Sequence, residues 1–149
     1  MINLKSEHKI LECALRFILA VIFIYASIHK IAAPAQFARI IYGYQLFPAL
    51  TINLIAIIVP FIELYTGIFL LLGILPRSSA LWITIMLFSF IIAISINLIR
   101  GHEFDCGCFG FSKGKTSNWE LLFRDIIYFI GSLYVFLYRQ KRMYCLYDR

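Results

Sequence analysis

The sequence predicts an all-α integral membrane protein, a bundle of four transmembrane helices that forms one domain over residues 1–149. Hydrophobic residues make up 62% of the chain and charged residues only 15%, whereas about a quarter of a soluble domain is charged. The apolar residues form long runs, and the charges gather near the ends of these runs. A soluble protein of this size could not bury so much apolar surface in one core, so lipid is the expected solvent.

Four apolar runs are long enough to be the transmembrane helices, since a helix needs about 20 apolar residues to cross the hydrocarbon core. They lie at residues 11–33, 49–75, 80–99 and 119–138. The runs lack the polar alternation of the strands in a membrane barrel, which favours helices. A cleaved signal peptide is the alternative for the first run, although that run exceeds the usual apolar core of about 7–15 residues.

Three short connections join the runs. Residues 34–48 are amphipathic and are predicted to lie on the membrane interface, with aromatic side chains at headgroup level. Residues 76–79 predict a tight turn. Residues 100–118 are rich in glycine and contain two close cysteines. In a bundle of consecutive hairpins, the first and third connections lie on the same side.

The distribution of lysine and arginine favours a cytoplasmic position for both termini. These residues are slightly more numerous on the side of the termini, and the basic segment at residues 139–142 is the strongest indication. Residues 100–118 then face the outer side. Arg16, within the first run, is expected to extend its side chain to the cytoplasmic surface. Because the net charge of +6 arises mainly at helix ends, the predicted partner is the lipid bilayer and not nucleic acid.

Polar residues are predicted to meet on the outer side of the bundle. The end of the first helix, the start of the second, the end of the third and the start of the fourth share that side in any hairpin order. Ionisable side chains at membrane depth are costly, and they usually pair or serve a function. The residues concerned are His29, Lys30, Asn97, Arg100, Glu103, Asp105, Arg124 and Asp125, together with the two close cysteines.

Cys106-Gly107-Cys108 is the most specific motif in the chain. Thiol–disulfide exchange passes through a mixed disulfide that a second thiol resolves, and glycine lets the backbone bend between two such thiols. The alternatives are a structural bridge or two unreactive thiols. No metal site is expected, because zinc takes four ligands and only His102 and Asp105 lie near the pair.

Glu63 lies near the middle of the second apolar run, where a carboxylate costs about 2.5–3.5 kcal/mol to insert. The functional interpretation is a proton relay or a hydrogen-bond partner for a quinone headgroup. The alternative is a clamp to a tyrosine or serine of another helix. Arg124 and Asp125 are expected to pair with different helices, because neighbouring helical residues do not face each other. Lys30 and Arg100 are the candidate partners of Asp125, and a structural clamp is the favoured role.

Two motifs resemble the signature of the methylamine utilisation protein MauE family, which belongs with the wider DoxX-like membrane proteins. They are Asn-Leu-Ile-Arg-Gly at residues 97–101 and Asp-Cys-Gly-Cys-Phe-Gly at residues 105–110. The resemblance extends over nearly the whole chain. Further matching residues are His29, Lys30, Pro34 and Phe37, then Pro60, Glu63 and Gly67, and finally Trp119, Leu122, Arg124 and Asp125.

The resemblance implies a four-helix protein of the bacterial inner membrane, with the cysteine loop facing the periplasm. The family is associated with processing, transport or maturation of the methylamine dehydrogenase small subunit, which needs periplasmic disulfides. Its members often accompany thioredoxin-like proteins. A thioredoxin-like protein in the periplasm is therefore the expected partner.

The leading hypothesis is a membrane thiol–disulfide redox protein, with Cys106 and Cys108 as catalytic residues. A membrane quinone is the candidate cofactor, by analogy with other four-helix thiol oxidoreductases. Two alternatives are a non-catalytic assembly or maturation factor and, less favoured, a small transporter. The residues predicted to support protons or quinone are Glu63, Asp125, Arg124, Asn97, Arg100, Lys30, His29 and Asp105.

Overall fold

A computed structural model of the protein describes residues 4–100 and 118–138. These residues form helices and no strands, which confirms the all-α prediction. Each predicted run corresponds to one long helix, and a further short helix follows the first. The helices are α1 (Leu4–Ala32), α2 (Pro34–Gly43), α3 (Ala49–Leu72), α4 (Pro76–Ile99) and α5 (Asn118–Leu137).

Within the described part of the chain, three helical segments are long and apolar enough to cross a membrane. They are Glu7–Ala32, Ala49–Leu72 and Pro76–Ile99. Helix α5 falls short of the same criterion, because charged residues occupy its first two turns: Glu120, Arg124 and Asp125. The protein thus has the helices of a multi-pass membrane protein, while the fourth crossing and the direction of insertion stay predictions.

The reversal between α3 and α4 occurs before the predicted turn at residues 76–79. Gly73 adopts a left-handed conformation with φ 66°, which glycine reaches without steric cost. The N–H groups of Gly73 and Ile74 donate to the carbonyl oxygens of Leu70 and Phe69. Pro76 then begins α4, a position where its missing N–H costs nothing. Residues 76–79 are therefore the first turn of a helix.

Helix α2 packs against the bundle, and its position on the membrane interface stays a prediction. Pro34 disfavours continuation of α1, because its ring crowds the preceding turn and it has no N–H to donate, and it begins α2 instead. The chain bends at Ala33, with φ −135° and ψ 64°. One face of α2 then packs on the first half of α3, burying Phe37 and Ile41 against Ile52 and Ala56.

The long helices associate in two close pairs. Helix α1 packs mainly against α3, and α4 mainly against α5. A buried hydrogen bond of 2.9 Å from Thr84 Oγ1 to Ser132 Oγ links α4 to α5. The main core lies between the pairs and contains Leu19, Ala20, Phe23, Leu70, Ala80, Ile83, Leu87 and Val135.

Gly67 permits the close contact between α1 and α3. A Cβ atom at this position would lie 3.0 Å from Ile24 Cγ1 and 3.4 Å from the carbonyl oxygen of Ala20. We expect Gly67→Val to lower the free energy of unfolding by about 1–3 kcal/mol, because overpacking would force the helices apart. Equilibrium unfolding of the purified protein in mixed micelles would measure this.

Gly131 provides the matched control for that substitution. A Cβ atom there would meet Leu15 Cδ2 at 3.7 Å, an ordinary van der Waals distance. We expect Gly131→Val to change the free energy of unfolding by less than about 1 kcal/mol. Equal effects of the two substitutions would contradict a specific role for Gly67.

Candidate functional site

The centre of the site is a buried ion pair between α1 and α3. Lys30 Nζ lies 2.7 Å from Glu63 Oε1 and 2.8 Å from Oε2, so the ammonium donates to both carboxylate oxygens. Both residues are 1% exposed. At a rise of about 1.5 Å per residue, Glu63 lies about 21 Å from the start of α3 and about 14 Å from its end. The partner of Glu63 is thus Lys30, and not the tyrosine or serine that the alternative interpretation named.

Two aromatic rings also lie close to the Lys30 ammonium. Nζ lies 5.1 Å from the ring centroid of Phe37 and 5.2 Å from that of Phe90. Cations at such distances are attracted to the face of an aromatic ring. Four helices therefore meet at Lys30, since Phe37 belongs to α2, Phe90 to α4 and Glu63 to α3.

Asp125 and Arg124 of α5 lie beside the ion pair of Lys30 and Glu63. Asp125 is buried, and its Oδ1 lies 3.7 Å from Arg124 Nε, so these neighbours contact each other despite our prediction that they would not. Both line a small cavity with Lys30 and Glu63. The cavity has a volume of about 30 Å³, above the roughly 10–15 Å³ that one water molecule requires. We call these four residues the charge cluster.

The charge cluster has a balanced composition of two basic and two acidic residues. Buried charges are tolerated when they are paired and hydrogen-bonded. Of the two partners predicted for Asp125, Lys30 shares the cavity with it, whereas Arg100 Nη1 donates to the carbonyl oxygen of Tyr44 at 3.5 Å. The cluster can hold the helices together, and its carboxylates are also groups that can carry protons.

Asn97 lies apart from the charge cluster, near the end of α4. It is 2% exposed, and its Nδ2 donates to the carbonyl oxygen of Ala93 at 2.8 Å. Its Oδ1 is buried and accepts no hydrogen bond from the described residues. Asn97 and Arg100 thus lie where α4 ends, immediately before residues 101–117.

His29 does not contribute to the cluster either. Its ring lies against the ring of Tyr25, with centroids 4.3 Å apart, and its Nδ1 lies 3.2 Å from the Tyr25 carbonyl oxygen. Asp105, Cys106 and Cys108 lie outside the described residues. Among the described residues, no three of His, Cys, Asp and Glu lie close enough together to hold a metal ion.

Sequence reasoning missed a second buried charged group. Glu12 and Arg16 are both 0% exposed, so the prediction that Arg16 extends to the surface is wrong. The two residues lie one turn apart on the face of α1 that also carries Leu19, Phe23 and Lys30 into the bundle. The helical spacing of these buried residues is a signal that could have revealed it.

These features define a class: an α-helical multi-pass membrane protein with a largely buried charge cluster contributed by three helices, α1, α3 and α5. The sequence model of the methylamine utilisation protein MauE family matches residues 8–138, and the chain belongs to this family. No solved structure matches the chain significantly.

Curated relatives carry the name methylamine utilization protein MauE. The protein of Paracoccus denitrificans is 28% identical over 115 residues, which cover 76% of this chain and 62% of the relative. That of Paracoccus versutus is 27% identical over 122 residues, 81% of this chain and 66% of the relative. The protein of Methylorubrum extorquens is 28% identical over 101 residues, 67% of this chain and 54% of the relative. The chain spans less than two thirds of each relative.

Proposed function

We propose that this protein is a membrane thiol–disulfide redox protein that supports disulfide formation in periplasmic proteins. Cys106 and Cys108 exchange a disulfide with a thioredoxin-like partner. The observation that carries the proposal is the Cys-Gly-Cys motif in the segment between α4 and α5. Two thiols so close together suit the attack on a disulfide and the resolution of the mixed disulfide that results.

The position of the cysteine segment between the end of α4 and the start of α5 supports a role in thiol exchange. The segment with both cysteines leaves α4 after Arg100 and enters α5 at Asn118. Asp125 follows seven residues later, about 10 Å along the helix axis. Oxidation of two thiols to a disulfide releases two protons. The buried carboxylates of Asp125 and Glu63 therefore lie within a few helical turns of the segment where these protons would be released.

The proposed topology places four crossings in the bacterial inner membrane, with α5 as the fourth. Helix α5 has 20 residues, about the length that crosses the hydrocarbon core. Both termini are then cytoplasmic, and residues 101–117 face the periplasm. This side suits disulfide formation, since the periplasm is oxidising and the cytosol is reducing.

A non-catalytic maturation factor is the second candidate. The curated relatives carry the name methylamine utilization protein MauE, and a maturation factor of this kind would dock a protein of that pathway without exchanging disulfides. The two candidates differ in one requirement. Thiol exchange needs both sulfur atoms, whereas docking needs only the shape of the loop.

Trapping of a mixed disulfide tests the proposal. Cys106→Ser and Cys108→Ser are each expressed in cells in a background with Cys13→Ser and Cys145→Ser. We expect one of the two to accumulate a covalent adduct with a periplasmic protein that dithiothreitol releases, because the remaining thiol cannot be resolved. Non-reducing electrophoresis and mass spectrometry identify the adduct.

The double variant with both Cys106→Ser and Cys108→Ser is the control, and it should trap nothing. A membrane-impermeant maleimide, added to intact cells after a brief reduction with dithiothreitol, should label the background protein that retains both thiols. If neither single variant forms an adduct while the protein is present in normal amounts, the thiol-exchange function is wrong and the docking role is favoured.

A further inference from the structure

An apolar groove lies between α2, α3 and α4, next to the charge cluster but separate from it. Its volume is about 220 Å³. Aromatic and aliphatic side chains form most of its walls. Ser89 also lines the groove, and its hydroxyl donates to the carbonyl oxygen of Ile85 in the same helix at 3.0 Å. Residues that define the groove include Phe37, Val59, Trp82, Met86, Phe90 and Ala93.

The groove opens toward the surroundings of the bundle. Trp82 is 53% exposed on α4 and Phe47 is 48% exposed beyond α2, whereas Phe37 at the inner wall is buried. Around helices of this composition the surrounding medium is lipid. A ligand of the groove is therefore one that arrives from the lipid phase.

The inner wall separates this groove from the charge cluster by a single layer of aromatic rings. Phe37 and Phe90 both line the groove, and both rings lie close to the Lys30 ammonium. Phe90 also lines the small cavity that contains Glu63 and Asp125. The aromatic rings of this wall can stack against the flat ring of a ligand, and the carboxylates behind them are groups that can exchange protons.

The size of the groove limits the ligand to about one substituted ring. A cavity of about 150 Å³ lined by apolar side chains can hold benzene, while sites for drug-sized ligands measure about 300–1,000 Å³. We propose that the groove binds the ring of a lipid-borne quinone. The chain of the quinone then remains in the surrounding lipid, and its ring lies against Phe37 and Phe90.

A quinone in this groove would accept the electrons that are released when the thiols are oxidised. This role of the quinone rests on the proposed function. As Cys106 and Cys108 form their S–S bond, the two thiols lose two electrons and two protons. The quinone takes up two electrons and two protons and becomes a hydroquinone. Tyr44 lines the groove, and its carbonyl oxygen accepts the hydrogen bond from Arg100, the residue that precedes the cysteine segment.

Tryptophan fluorescence can report binding at the groove, because the chain has two tryptophans and Trp82 alone lines it. The full-length Trp119→Phe variant in phosphatidylcholine nanodiscs is titrated with a short-chain benzoquinone. We expect saturable quenching of Trp82. The Trp82→Phe variant, which retains Trp119, should show only quenching that rises linearly with quinone concentration.

Two substitutions that fill the groove test its location. Ala93→Phe places a ring within the walls, and Ser89→Phe does so at the exposed rim, where folding is less affected. Each should weaken quinone binding by about tenfold or more, equivalent to about 1.4 kcal/mol. Ile92→Phe is the matched control, since Ile92 is exposed on the same helix and does not line the groove.

The outcomes distinguish quinone binding from binding of other ligands, and they distinguish failure of this site from failure of the proposed function. Absence of saturable quenching at Trp82, or undiminished binding by both groove variants, would overturn the quinone site. Equal displacement by dodecanol, which has a chain but no ring, would show that the groove takes lipid chains instead. Cys106→Ser and Cys108→Ser should bind quinone normally. If quinone binds while neither cysteine variant traps a partner, the site stands and the thiol-exchange function fails.

Discussion

Replacement of Lys30 by methionine is expected to lower the free energy of unfolding by about 3–5 kcal/mol, the usual cost of breaking a buried ion pair from one side. Methionine has a similar length but no charge, so the Glu63 carboxylate loses the ammonium that lies 2.7 Å from it. The loss is large because Glu63 is almost completely shielded from solvent. Equilibrium unfolding of the purified protein in mixed micelles, followed by circular dichroism, would measure the change.

The double variant Lys30→Met with Glu63→Met distinguishes a charge effect from a packing effect. Removing both charges should recover most of the stability, because a buried ion pair is often no better than apolar residues of the same volume. Arg39→Met is the control for loss of a positive charge, since Arg39 is exposed on α2, and its effect should stay within about 0.5 kcal/mol. A double variant as unstable as Lys30→Met would contradict the ion-pair explanation.

The long helices could be predicted from the sequence because apolar runs leave them few alternatives in lipid. Their ends were harder to predict. Helix α1 begins at Leu4 and not near residue 11. Its first turns carry polar residues, and a search for apolar runs does not detect a polar helical segment. Helix α4 begins at Pro76 and not at residue 80, because proline suits the first turn of a helix.

The pairing of charges could not be predicted, although the charged residues themselves stood out. Which residue of α1 faces Glu63 depends on how far the two helices slide along each other. Close contact at Gly67 and the bend at Ala33 fix that position. The helical spacing of the residues in α1 would have predicted that Arg16 and Lys30 lie on its buried face. The apolar groove could not be predicted for a different reason, because it forms only where α2 packs against α3.

Asp125→Asn is expected to slow thiol oxidation by about 100-fold under the proposed function, because general acid–base groups commonly contribute about 10²–10⁴-fold. Asparagine keeps the size and polarity of the side chain but cannot carry a proton between the thiols and the acceptor. The rate at which the protein in nanodiscs oxidises a reduced thioredoxin-like substrate, with a short-chain quinone present, would measure the loss. Asp125→Glu should recover much of the rate.

The pH dependence of that rate separates proton transfer from a purely structural role of Asp125. A structural contact to Arg124, whose Nε lies 3.7 Å away, would lower the rate of the asparagine variant equally at every pH. Loss of a proton carrier instead removes the dependence on pH that this carboxylate confers, while circular dichroism stays that of the unaltered protein. Wild-type rates in Asp125→Asn, or an unchanged profile at a lower rate, would leave the charge cluster with the role of holding helices α1, α3 and α5 together.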